Sequence, residues 1–145
     1  MHHWLSAIAK KHAFLVNILW YFLNKHTPFT IEATINTITP FSNFNLNDNL
    51  ISSLDKAGWQ NASPIQELTI TPILEGQDIF AQAETGSGKT GSFAIPILEL
   101  FIREQSPQAI ANAPQWIVLS PTRELAQQTD SVFDLIGKSL GFMTA

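Results

Sequence analysis

An α/β fold built on a parallel sheet with flanking helices is what this 145-residue sequence predicts, and three observations point there. Two short apolar runs, "DIFAQA" (78–83) and "QWIVLS" (115–120), have the length and continuous hydrophobicity of strands buried on both faces. Each is followed by a loop and then by apolar residues at helical spacing. Between the first run and its helix lies "AETGSGKT" (83–90), a glycine-rich turn of the kind that receives phosphate. Strand, loop, helix, repeated, is the order of a parallel sheet, here a partial P-loop NTPase sheet.

The bulk composition suits one domain with a core: 45% of residues are hydrophobic and 14% charged. With no cysteine, disulfides and thiolate metal sites are excluded, and a cytoplasmic location is the expectation. Four histidines, at 2, 3, 12 and 26, show no metal-ligand spacing. The net charge of −4 is uneven. Lys10, Lys11 and Lys25 precede the first acid, Glu32, after which Lys56, Lys89, Arg103, Arg123 and Lys138 face all twelve acids. Such a chain does not hold nucleic acid by bulk charge, so any contact must be local.

Residues 1–40 read as a leader distinct from the domain at 41–145. Its apolar helix, at about 10–23 in "KKHAFLVNILWYFL", is shorter than the roughly 20 apolar residues that span a bilayer. No small-residue cleavage site follows. Three readings stay open: a membrane-associating or targeting helix, a helix covered by protein, and a stretch that is not a selected element. "TIEATINTIT" (30–39) alternates weakly with the period of a strand.

After Pro40 the pattern becomes regular. Leu46, Leu50, Ile51, Leu54 and Ala57 fall on one helical face, with Asn47 as cap and Gly58 as terminator. A second helix starts at Ser63-Pro64 and runs through Ile65, Leu68 and Ile73 toward Gly76, with Pro72 expected to bend or shorten it. Ala94, Ile97, Leu98 and Phe101 mark a third, in which Pro96 should produce a kink. Leu125, Val132, Phe133, Ile136 and Leu140 mark a fourth, which Thr122 or Ser120 can cap and Gly141 can close.

In the glycine-rich turn, Gly86 and Gly88 have no side chain to block inward-pointing N–H groups at Thr85–Thr90, and the following helix adds its positive end. Lys89 would reach β and γ phosphates, and the Thr90 hydroxyl would sit on Mg²⁺. Ala83 stands where the general pattern has glycine. Glu84, an acid beside phosphates, is expected to turn outward. Upstream, in "GWQNASPIQ" (58–66), the Gln66 amide has the donors and acceptor to pair with adenine at N6 and N7 together, which selects ATP. Ser63-x-x-Gln66 is equally a capping box, in which Gln66 reaches back to its own helix start. Spacing alone does not choose between them.

Together, Phe41, "GWQNASPIQ", "AETGSGKT" and "PTRELAQQ" (121–128) resemble the opening motifs of the DEAD-box ATP-dependent RNA helicases, in that family's order, over residues 41–142. The resemblance implies the N-terminal part of a RecA-like domain that binds ATP with Mg²⁺. It implies that Phe41 stacks on adenine, that Gln66 reads its edge, and that Thr85, Gly86, Ser87, Gly88, Lys89 and Thr90 hold the phosphates and metal. It implies that Pro121, Thr122 and Arg123 touch the RNA backbone, a contact that positions RNA without reading its sequence. Ala62 departs from the family's usual proline, and Glu84 from its usual glutamine.

The Asp-Glu-Ala-Asp motif is absent from the sequence. Asp130 and Asp134, on the fourth helix, read as solvated residues rather than substitutes for it. The expectation is therefore a truncated helicase domain that binds ATP and RNA without useful hydrolysis, its incomplete sheet exposing apolar faces. The alternative is a stand-alone nucleotide- and RNA-binding module; an unrelated P-loop ATPase is disfavoured by Gln66 and residues 121–128 together.

Overall fold

In a computed structural model of the chain, residues 38–104 and 114–144 are described, all within a unit spanning Ile31–Ala145. The apolar helix expected at about 10–23 and most of the possible strand at 30–39 lie outside the described residues. Among those described, strand β1 (Thr39–Pro40) leads into a 3-10 turn, Phe41–Phe44, and then helix α1, Asp48–Lys56. Strand β2 (Asn61–Ala62) precedes helix α2, Pro64–Leu74. Helices α3, Lys89–Arg103, and α4, Arg123–Gly137, complete the order, followed by a 3-10 turn, Lys138–Leu140.

The four helices fall where periodicity and caps put them. Asn47 Oδ1 accepts from Asn49 N–H at 2.9 Å to start α1, and Thr122 Oγ1 accepts from Leu125 N–H at 3.3 Å to start α4. Gly58, Gly76 and Gly141 take positive φ (80°, 79° and 79°) just beyond helix ends, the conformation that glycine adopts without steric cost.

Neither proline breaks its helix; α2 continues through Pro72 and α3 through Pro96. Pro96 cannot donate to the Ser92 carbonyl one turn earlier. Thr69 Oγ1, from α2, lies 3.4 Å from that carbonyl. The single hydroxyl proton goes mainly to Ile65 O at 2.7 Å, so the compensation at Ser92 is weak.

The expected parallel sheet is not formed among the described residues, whose sheet is the antiparallel pair β1–β2, with Thr39 opposite Ala62 and Pro40 opposite Asn61. Residues 77–84 and 116–120 carry no strand assignment. A strand exists only through a hydrogen-bonded neighbour, and hydrophobicity does not supply one. Ile117, Val118, Leu119 and Phe80 are 62%, 41%, 71% and 58% exposed, so these runs present the apolar faces that the sequence led one to expect.

The core lies between the helices. Leu50 and Leu54 of α1, Ile70 of α2, Ile95 and Leu98 of α3 and Ile136 of α4 are fully buried, each contributing about 1.5–3 kcal/mol of transfer free energy. Phe101, Trp116, Phe133 and Phe142 form an aromatic cluster beside it, with ring centroids 5.1–6.1 Å apart for the contacting pairs. Two polar ties fix the packing. Ser53 Oγ on α1 donates to Ile136 O at 2.6 Å. Glu99 on α3, 2% exposed, accepts from Asn47 N–H at 2.7 Å and Arg103 Nε at 2.6 Å. Arg103 Nη2 also donates to Asn45 O at 2.9 Å. Together they hold the 3-10 turn and the start of α1 against α3.

Candidate functional site

The glycine-rich turn and the start of α2 face one another. Gly88, at φ 93°, is the N-cap of α3, and the N–H groups of the first turn that follows have no acceptor within the helix. Gly86 is also left-handed, at φ 84°, with open space where a side chain would project. At Gly88 there is no such space: a Cβ would stand 2.7 Å from Ser63 Oγ and 2.8 Å from Gln66 Nε2. Glycine is required there both by φ and by the neighbour.

Lys89 Nζ donates to Ala83 O at 2.6 Å and Glu84 O at 2.5 Å, which draws the turn round its ammonium group. Glu84 itself is exposed, as expected. Thr85 is exposed, and Thr90, in the first turn of α3, is half-buried. Ser87 Oγ and Ser63 Oγ are buried without a hydrogen-bond partner. Orphaned hydroxyls beside open N–H groups at a helix start fit a polyphosphate, whose oxygens satisfy both.

Gln66 is 4% exposed and engaged at both ends: Oε1 accepts from Ser63 N–H at 2.9 Å, and Nε2 donates to Gly88 O at 3.1 Å. The first bond is the Gln66 half of a capping box; Ser63 Oγ faces the Gln66 backbone N–H as its other half, outside strict hydrogen-bond geometry. An amide has two acceptor lone pairs and two N–H groups, so one of each is left. Cap and reader are thus compatible. Gln66 lines a cavity of about 460 Å³ with Gly58–Ser63 and Gly88. A second, of about 440 Å³, lies between Ser63–Ile65, Leu68 and the turn at 82–83 and 86–87.

Phe41 is not in the wall of either cavity. It is 2% exposed in the core, its ring 6.3 Å from that of Phe44, and its backbone N–H reaches Gln60 O at 3.4 Å. The aromatic residue lining the cavity is Trp59, within "GWQNASPIQ". Gly91 had a detectable signal, a glycine in the first turn of a helix, where alanine is about 1 kcal/mol better.

Pro121, Thr122 and Arg123 are exposed at the start of α4, as are Asp130 and Asp134 along it. The Glu124 carboxyl is held below its ordinary value by a backbone N–H first and the Thr122 hydroxyl second, against slight desolvation. Its charge therefore persists beside the positive end of α4. No cluster of three acidic or histidine residues able to hold a metal occurs among the described residues.

A protein-family model described as DEAD/DEAH box helicase matches residues 63–145, more than half of the sequence. The chain belongs to that family. It is 43% identical over 98 residues to the ATP-dependent RNA helicase CshA of Limosilactobacillus reuteri, covering 68% of this chain and 18% of that protein. A DEAD box protein from Methanococcus jannaschii superposes with a TM-score of 0.58 at 38% identity, over 67% of this chain and 25% of the other. Prp28 from Chaetomium thermophilum, an RNA helicase bound to ADP, superposes with a TM-score of 0.66 at 31% identity, over 78% and 28%. This DEAD-box chain thus spans about a fifth of the CshA helicase's length. None of its described helices is long and apolar enough to cross a membrane.

Proposed function

We propose that this DEAD-box chain binds ATP with Mg²⁺ and touches an RNA backbone as part of an ATP-dependent RNA helicase that remodels RNA duplexes or RNA–protein complexes. The observation that carries the reading is Gln66, which joins the cavity of about 460 Å³ to the glycine-rich turn through Gly88 O. Its spare lone pair and N–H match the N6–H and N7 of adenine. Gly86–Thr90 would receive the phosphates, Lys89 would turn its ammonium group from Ala83 and Glu84 toward them, and Thr90 would contribute its hydroxyl to Mg²⁺. Stacking by Phe41 would require its ring to leave the core. Kinship with an RNA helicase crystallised with ADP supports the choice of base.

Turnover is not proposed for these 145 residues alone. Polarising the attacking water calls for a carboxylate near the γ phosphate, and the α4 acids are exposed on a helix surface. The alternative of a binding module without turnover predicts the same ligands.

Binding of ATP and GTP to wild type and Gln66→Ala tests the base assignment. Wild type should prefer ATP, and the variant should lose about tenfold to hundredfold of that preference. Equal affinity of wild type for both nucleotides would sink the reading. For RNA, Arg123→Ala should lower the slope of log affinity against log salt by about 0.7 on single strands, the loss of one phosphate contact. An unchanged slope would remove Arg123 from the interface.

A further inference from the structure

We infer that Gly91, outside the phosphate turn, is a positioning residue that sets where the Gln66 amide sits and hence how the chain chooses among nucleotides. This rests on the adenine reading above and deepens it. Gly91 is buried in the first turn of α3. Its backbone is helical rather than left-handed, so conformation gives no reason for glycine. Packing does. A Cβ at Gly91 would stand 2.4 Å from Gln66 Nε2, 2.8 Å from Trp59 Cζ3 and 3.3 Å from Gln66 Cδ. Contacts under 3 Å require something to move, and Gln66 is hemmed in by Ser63 and Gly88, which it bonds. The missing methyl at 91 is thus the space that the amide occupies. The same space admits the edge of Trp59, which lines the cavity with Gln66. Gly91 therefore acts on the base side of the site through two other side chains and needs no contact with nucleotide.

The sign of the effect separates this from ordinary helix propensity. Alanine in the first turn of an uncrowded helix raises stability, because glycine carries more backbone entropy to lose. In this setting Gly91→Ala should lower the thermal midpoint and reduce ATP affinity about tenfold more than GTP affinity, because displacing Nε2 slackens its tie to Gly88 O and weakens phosphate capture for both nucleotides, while only ATP also loses the amide pairing. The experiment compares wild type, Gly91→Ala, Gln66→Ala and the double variant for thermal midpoint and for ATP and GTP affinity. In the Gln66→Ala background the cost of Gly91→Ala should shrink to what Trp59 alone imposes, and ATP affinity should fall no further. A raised midpoint in Gly91→Ala, an unchanged ATP-to-GTP ratio, or the same cost in both backgrounds would overturn the inference. Should Gln66→Ala not fold, the nucleotide ratio in Gly91→Ala decides alone. Failure of the adenine reading shows itself separately, as a wild type that binds ATP and GTP alike, and the midpoints then still decide whether Gly91 positions Gln66.

Discussion

Replacing Gly88 by alanine is expected to weaken nucleotide capture about a hundredfold while removing no charge and no hydrogen-bonding group. The left-handed backbone at this position, φ 93°, costs an L-residue about 1–2 kcal/mol. The added methyl would also meet Ser63 Oγ at 2.7 Å and Gln66 Nε2 at 2.8 Å, and crowding of this kind costs about 1–3 kcal/mol more. Two ways of relief exist: the chain unfolds more readily, or the turn swings away from α2. The second breaks the bond from Gln66 Nε2 to Gly88 O and misaims the N–H groups of the first turn of α3. If about 2–3 kcal/mol is released by that movement, ATP affinity falls about a hundredfold. Calorimetric titration with ATP, beside urea unfolding of the same variant, measures both shares. Unchanged affinity and unchanged stability would show that the turn accommodates a side chain, contrary to the geometry.

Replacing Glu99 by leucine should destabilise the chain by removing a polar tie rather than an ion pair. The attraction between Glu99 and Arg103 is not the reason, since the Arg103 side chain is 41% exposed and water can replace its partner. The cost falls on half-buried Asn47, whose N–H donates to Glu99 Oε2 at 2.7 Å. Loss of a hydrogen bond to a charged acceptor costs about 1.5–3 kcal/mol, less where water reaches the donor. Release of Asn45 by a misplaced Arg103 then loosens the 3-10 turn that carries buried Phe41 and Phe44. Glu99→Gln, which keeps an oxygen for Asn47, should lose clearly less. Urea unfolding of the two variants makes the comparison; equal losses would mean that the charge, not the acceptor, matters.

Local signals were legible wherever the backbone itself responds to them. Asn47, Ser63-Pro64 and Thr122 start helices by capping chemistry confined to a few residues, and Gly58 and Gly76 end them by the same short-range rules. The glycine-rich turn was readable because Gly86 and Gly88 take left-handed backbone and Lys89 and Thr90 open a helix by short-range rules, before any packing is known. The roles of Trp59 and Gly91 are not legible in spacing, because Gly91 lies 32 residues from Trp59 and 25 from Gln66 in the chain and meets them only when α3 packs against α2.

The sequence by itself determined the helices, the glycine-rich turn and the family, since each depends on residues close together in the chain or on motifs whose order is preserved. Tertiary structure decided the rest. It made Gln66 a tie to Gly88 as well as a cap, placed Phe41 in the core, brought Gly91 against Gln66 and Trp59, and gave the two apolar runs no ladder among the described residues. The physical reason is common to all four: hydrogen-bond partners and steric clearances belong to pairs of segments distant in sequence, and they come into existence only when the helices pack.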